Sequence, residues 1–192
     1  MPDRNPAALD FLLTRRSCPA RLLAPPLPDE AQLQAILIAA LRCPDHGKLE
    51  PWRLVVIERA ALTRIAGEVA MRGLALELES DRIAKAVAQY AGGHLAVLVV
   101  AVPRPTDKVP AIEQTLSAGA VCLSLLNAAL ASGFGANWLT GWPLHDGPLL
   151  ADSFGLAPGE WAAGIVHIGT ATETPPDRPR PDLARAVTWM RA

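Results

Sequence analysis

Apolar residues recur along this chain in two rhythms, and the breaks between them are mostly proline or glycine. Asn5-Pro6 opens the first stretch, a capping side chain followed by proline at the first helical position. Leu9, Leu12 and Leu13 then predict a short helix with a small apolar face, closing at Arg15-Arg16-Ser17 before Pro19. After a proline-broken connector from Leu23 to Pro28, Asp29 opens a second helix. On it Leu33, Ile36, Leu37, Ala40 and Leu41 share a face, and it ends at Arg42. The rhythm then changes: Leu54-Val55-Val56-Ile57 is short, apolar and β-branched, which predicts a buried strand over Arg53 to Ile57.

Ala60 to Met71 and Asp81 to Tyr90 return to helical spacing, with Gly73 to Ser80 compatible with helix or loop. Leu95 to Val102 is almost unbroken Val, Leu and Ala closed by Pro103, the pattern of a strand covered on both faces. Beyond the charged loop Pro103 to Pro110, a helix from about Ala111 to Ser132 is apolar nearly all round in its second half. That places it at the centre of the core or at a subunit contact. Its consecutive small residues Ser117, Ala118, Gly119 and Ala120 allow close approach of another helix, within the chain or from a second copy. A Gly133-Phe134-Gly135 turn leads to a short strand near Asn137 to Thr140. Pro148 to Phe154 reads as a short helix and Trp161 to Gly169 as another buried strand. From Thr172 to Ala192 the chain is rich in proline and arginine and reads as an extended tail. Strands separated by helices predict a mixed α/β or α+β layered structure, one domain over 1–192 with the tail beginning near 172.

Composition narrows the function. A net charge of −1 without a Lys/Arg cluster argues against nucleic acid as a partner. Three widely spaced cysteines, Cys18, Cys43 and Cys122, fit a reducing compartment and neither a disulfide framework nor a zinc site. Met1 to Leu13 lacks the apolar run of a signal peptide, and Ala118 to Ala131 falls short of a bilayer span, so a cytoplasmic protein without a membrane partner is expected. Dinucleotide, P-loop, zinc-protease and nucleophile-elbow signatures are missing. His46, His94, His145 and His167 show no metal-like spacing, and His167, inside a strand, reads as a satisfied core histidine.

The candidate chemistry concentrates in two stretches. Cys43 to Arg53 holds His46, Lys48 and two carboxylates between Pro44 and Pro51, which is either a solvated turn or a polar loop fixed by rigid flanks. Arg15-Arg16-Ser17 offers two guanidiniums and a hydroxyl suited to a phosphate, or simply cations complementing a helix C-terminus. If the two helices pack antiparallel, Arg15, Arg16, Arg42, His46 and Lys48 could grip the two ends of one elongated anion.

The order R-R-S, P-D-H-G-K-L-E-P-W-R-L-V-V-I, D-K-V-P, E-Q-x-x-S-A-G and G-F-G-A-N-W-L-T-G resembles the nitroreductase-like flavoproteins, over roughly Ala8 to Gly169. The resemblance implies an α+β, nitroreductase-like fold with a central mixed β-sheet flanked by helices. It further implies a homodimer with FMN at the subunit interface, and NADH or NADPH as electron donor to a small-molecule acceptor such as a nitroaromatic or quinone. Arg15, Arg16 and Ser17 would hold the phosphate and pyrimidine side of FMN. Arg42 and His46 would add contacts partly from the partner subunit, with Lys48 beside them. Trp138, Leu139 and Thr140 would lie against the cofactor, and Ala128, Ala129, Leu130, Ala131, Ser132 and Gly133 match a stretch assigned to the nicotinamide nucleotide. With the flavin carrying the electrons, no catalytic side chain is expected; Arg16, then Lys48, would supply positive charge at the pyrimidine end. The pattern carries an arginine where this chain has Leu139, a contact that Arg180 in the tail could replace, and a glutamine where it has Glu50. Two other readings fit the same residues: a flavin-binding or interaction protein with little reductase activity, and a flavin enzyme specialised for one metabolite. In the latter, a lid over Met71 to Tyr90 would set the choice.

Overall fold

The computed structural model describes residues 3–191. Seven α-helices and five strands occur among them: α1 Pro6–Thr14, β1 Leu23–Ala24, α2 Glu30–Ala40, β2 Trp52–Glu58, α3 Arg59–Ala75 and α4 Ser80–Ala91. They continue with β3 Leu95–Ala101, α5 Ala111–Ala131, β4 Gly135–Leu139, α6 Gly147–Phe154, β5 Trp161–Ala171 and α7 Leu183–Ala186. The caps are those the sequence announces. Asn5 accepts from the Ala8 N–H, and Asp29 and Gln32 form a reciprocal capping box on α2.

Strand β5 is the hub. It pairs with β3 along one side, with β4 through Gly135 opposite Gly169 and Leu139 opposite Ile165, and with the two residues of β1 at its end. β2 pairs with the far side of β3. Every pairing among the described residues is antiparallel, so the sheet in this chain is not mixed as expected. The reason is topological: β2 and β3 are joined through the antiparallel pair α3 and α4, which returns the chain in the opposite direction.

Alternation along β3 divides the interior. Ala96, Leu98 and Val100 pack with α3, α4 and α6, while Leu95, Val97 and Val99 pack with α2 and α5. All seven residues of β3 are buried, as its unbroken apolar run predicts. β2 has the same composition but lies at the sheet edge, and Val56 is 40 % exposed. A continuous apolar run shows that both faces are greasy; it does not show that another strand lies on each side. The ambiguous Gly73 to Ser80 segment splits, with α3 running to Ala75 and a short connection leading to α4.

His167 is 1 % exposed on β5, and neither ring nitrogen has a hydrogen-bond partner among the described residues, in place of the satisfied core histidine expected. Burial pushes its imidazole down to about 4 from an ordinary value near 6.5. The unfolded chain therefore takes up this proton first as the pH falls. Stability should be flat above pH 6.5 and decline between 6.5 and 4, by about 3 kcal/mol in all from this residue. His167→Leu should flatten that part of the profile in denaturant titrations repeated from pH 7.5 to 4.5. An unchanged profile would assign the acid sensitivity to other groups.

Candidate functional site

α1 ends at Thr14, so Arg15 caps the helix and Arg16 and Ser17 lie beyond it in extended chain. The Cys18 N–H donates to the Ala136 carbonyl at 2.9 Å, tying this segment to the start of β4. Arg15 Nη2 donates to Ser17 Oγ at 3.0 Å, while Arg15 Nε is buried without a partner among the described residues. Arg16 Nε donates to the Pro176 carbonyl at 3.2 Å and stands 3.8 Å from Asp177 Oδ1, an oxygen that also accepts from Arg180 Nη2 at 2.8 Å. The tail thus folds back onto Arg15-Arg16-Ser17 and brings a third guanidinium to it. Burial first, then the fields of Arg16 and Arg180, pull the Arg15 guanidinium below its usual value. Two neighbouring guanidiniums thus act on Arg15 besides its burial, with Asp177 and Glu173 as the acids beside Arg16. Sequence reasoning named Arg180 only as a replacement cation; proline-rich spacing gives no direction to a tail.

β4 leads away from this cluster. Between Ala136 and Thr140 the strand spans about 13 Å. Trp138 is half exposed, Leu139 packs into the core beside α6, and Thr140 is exposed. Trp138 depends on a glycine next door. A Cβ on Gly164 of β5 would fall 1.9 Å from the indole Nε1, an impossible contact. Gly164→Ala should therefore displace the indole with a stability loss of only about 1 kcal/mol, since a half-exposed side chain can move aside. A shifted tryptophan emission spectrum with a melting temperature close to the parent's is the expected pair of results; an unmoved spectrum refutes the packing.

Beyond Thr140 a cavity of about 400 Å³ opens, walled by Thr140, Gly141 and Trp142 on one side and Leu76, Leu78 and Arg82 on the other. The α3–α4 region expected to form a lid contributes that second wall. Asp146 also borders the cavity. Bonds from Arg72 Nε at 2.9 Å and Nη2 at 2.8 Å hold its carboxyl below the usual carboxylate range. Trp142 and His145 are not named as site residues from the sequence, and Gly141 and Arg82 enter it only as the end of a motif and as part of the lid span, because their common cavity joins segments some sixty residues apart.

The second stretch stands elsewhere. Asp45 accepts from the N–H groups of Leu49 at 3.2 Å and Glu50 at 2.8 Å, and Arg104 donates to the carbonyls of the same two residues. Held from both sides, the loop places Gly47, Lys48 and Glu50 at positive φ, +76°, +52° and +44°. Ser117 on α5 clamps its ends, donating to the Pro44 carbonyl at 2.8 Å and accepting from Trp52 Nε1 at 3.1 Å. His46 Nδ1 lies 2.6 Å from Glu113 Oε2 in the first turn of α5, and both border a cavity of about 320 Å³ with Leu116. Arg42 and Lys48 are exposed nearby in sequence.

Arg15-Arg16-Ser17 and the His46 loop therefore sit at opposite ends of α5. From Glu113 to Ala131 that helix advances about 27 Å. One chain does not bring the two basic sets together, contrary to the expected convergence on a single anion. What it does present is uncovered apolar surface near both: Leu9, Leu12 and Leu13 on α1, Ile38 on α2, and Ile112, Leu116 and Leu123 on α5 are all more than 45 % exposed. Of the small residues on α5, Ser117 and Ala118 are buried within the chain. Ala128 to Gly133 form the last turn of α5 and its glycine stop, with Ser132 Oγ donating to the Ala128 carbonyl at 2.8 Å. A helix carbonyl end repels phosphate, so this segment suits only the uncharged parts of a nucleotide. α5 also has the length and apolar composition of a membrane span, but Val121, Leu125 and Leu126 are buried against the sheet.

The excess positive charge by β4, with an orphaned buried guanidinium nitrogen, fits the phosphate of a flavin mononucleotide. Comparison with known proteins gives the family and the fold. The model of the nitroreductase family matches residues 12–170. The chain is 36 % identical over 163 residues to "Putative NAD(P)H nitroreductase YdjA" of Escherichia coli (strain K12), covering 85 % of this chain and 87 % of the relative. Its fold is that of the nitroreductase-like family protein from Bacillus cereus, with a TM-score of 0.76, 21 % identity and full coverage of both chains. It is also that of a variant of the FMN and NADPH-dependent nitroreductase NfnB from Sphigopyxis sp. strain HMH, with a TM-score of 0.73 and 20 % identity over 95 % of this chain and 98 % of that one.

Proposed function

This chain belongs to the nitroreductase family, and from that premise we propose that it is an FMN-dependent NAD(P)H oxidoreductase acting on a nitroaromatic, quinone or similar acceptor. The observation that carries the reading is the charge at Arg15. Three guanidiniums, Arg15, Arg16 and Arg180, share their ion pairs with one carboxylate, Asp177, while Glu173 borders the same pocket as Arg16, and one buried N–H has no acceptor among the described residues. A phosphate satisfies that donor and neutralises the excess.

When bound, FMN supplies the two-electron chemistry, accepting hydride from NADH or NADPH and passing electrons to the acceptor. The chain grips and orients. Arg15, Arg16 and Arg180 hold the phosphate, with the Ser17 hydroxyl beside them. Trp138 and Thr140 would line the path from there toward the cavity at Gly141, with Leu139 between them contributing main chain while its side chain packs in the core. Arg42, His46 and Lys48 complete the site from a second copy, because within one chain α5 separates them from Arg15. The uncovered faces of α1, α2 and α5 supply the apolar surface such a C2 contact requires. Ala128 to Gly133 meet the nicotinamide nucleotide through its uncharged parts. The unit is one domain over 1–192 and works in the cytoplasm.

A flavin binder with little turnover is the competing reading, prompted by Leu139. Its side chain turns into the core between Trp138 and Thr140, and Arg180 stands by Arg15 instead, so the leucine does not leave the phosphate end short of charge. Adding FMN to the purified protein and following absorbance after NADH or NADPH tests the choice. A yellow protein that bleaches supports the oxidoreductase; one that stays colourless, or stays yellow with both nucleotides, refutes it.

A further inference from the structure

The cavity beyond β4 carries a charge that the reading above leaves unused. Arg82, in the first turn of α4, faces the space bounded by Thr140, Gly141 and Trp142, and it enters no ion pair among the described residues. The acid in the same wall, Asp146, is already engaged by Arg72 and also accepts from the Leu149 N–H at the start of α6. Glu77 and Glu79 on the connection before α4, and Asp81 in its first turn, do not border the cavity. Arg82 is thus the cation in this lining without an ion partner among the described residues, and His145 offers a ring nitrogen beside it. The rest of it is apolar or aromatic, from Leu76, Leu78 and Trp142. A volume of about 400 Å³ lies at the small end of ligand pockets and suits one substituted ring rather than a dinucleotide.

We propose that this cavity receives the electron acceptor and that Arg82 makes it select small aromatic acids, the guanidinium taking the carboxylate while Trp142 and the two leucines cover the ring. The proposal rests on the oxidoreductase reading and adds the class of acceptor. A planar fork of donors matches a carboxylate in two parallel bonds, which a neutral amide of the same shape cannot accept with equal strength. Discrimination between acid and amide is then a property of one side chain.

The test uses the FMN-loaded protein with 4-nitrobenzoate and its neutral isostere 4-nitrobenzamide, in the parent, R82Q and R82K. The acid-to-amide ratio of kcat/KM should exceed one in the parent and fall about tenfold in R82Q, through KM, with R82K in between. Benzoate, which cannot be reduced, should perturb the flavin absorbance of the parent at about tenfold lower concentration than that of R82Q. A parent without acid preference, or a ratio unchanged in R82Q, overturns the proposal while a protein that still bleaches with NAD(P)H keeps the reading beneath it. A protein that does not bind FMN overturns both.

Discussion

Arg15→Ala should weaken FMN binding about a hundredfold and leave the cofactor-free protein as stable as its parent or slightly more so. Both halves follow from one side chain. A charge-assisted contact to phosphate contributes roughly 1.5–3 kcal/mol, and a guanidinium facing a phosphate makes one or two. About 2.7 kcal/mol corresponds to a factor of a hundred. Without the phosphate, Arg15 keeps a buried Nε that bonds to nothing and stands in the field of Arg16 and Arg180. Removing it relieves a cost and takes away only the Ser17 contact and a small interaction with the end of α1. Flavin fluorescence titration gives the affinity, and thermal melts with and without FMN give the stability. A variant that binds FMN like the parent would return Arg15 to the role of a helix-end cation.

Co-expression gives the second large effect. Arg15→Ala and His46→Ala should each retain little flavin alone, yet a mixture of the two should regain about a quarter of the parent's sites. The arithmetic is that of two composite sites on a C2 axis. Random pairing makes half of the dimers mixed, and in each mixed dimer one site carries both substitutions while the other carries neither. The physical ground is the separation along α5, which puts His46 beside Glu113 and Arg15 by the strand that follows Ala131. If each protomer held a complete site, mixing would restore nothing. Flavin content per chain decides between them: about a quarter of the parent's in the whole mixture, and about half in differently tagged subunits purified through both tags.

Much of the fold was legible because it depends on local pattern. Pro6, Asp29 and Pro103 mark element boundaries by what their side chains do to the backbone, and β3 announces its burial by composition. β2 was misplaced because Leu54 to Ile57 carry the same residues as a central strand, and edge position depends on partners far along the chain. For the candidate site, the charged motifs could be named from the sequence and their assembly could not. Arg15-Arg16-Ser17 and His46 could be named, but which of them share one protomer's pocket depends on the course of α5. Arg82 and Trp142 had no signal, since a single arginine in a helical register looks like any solvated cation until Thr140 and Gly141 are placed opposite it. His167 was read as paired because sequence shows that a strand residue is interior and not whether anything waits for its nitrogens.

The loop from Pro44 to Trp52 shows how such a protein could diversify. Its path is dictated by Asp45, Arg104 and Ser117, which bond to main-chain groups or to Trp52, so the side chains of His46, Lys48 and Glu50 bear little of the burden of shaping it. Exchanges at these three positions, the departure at Glu50 among them, can accumulate over generations at little risk to folding so long as positions 48 and 50 keep residues that tolerate a left-handed backbone, leaving chemistry free to drift where architecture stays put.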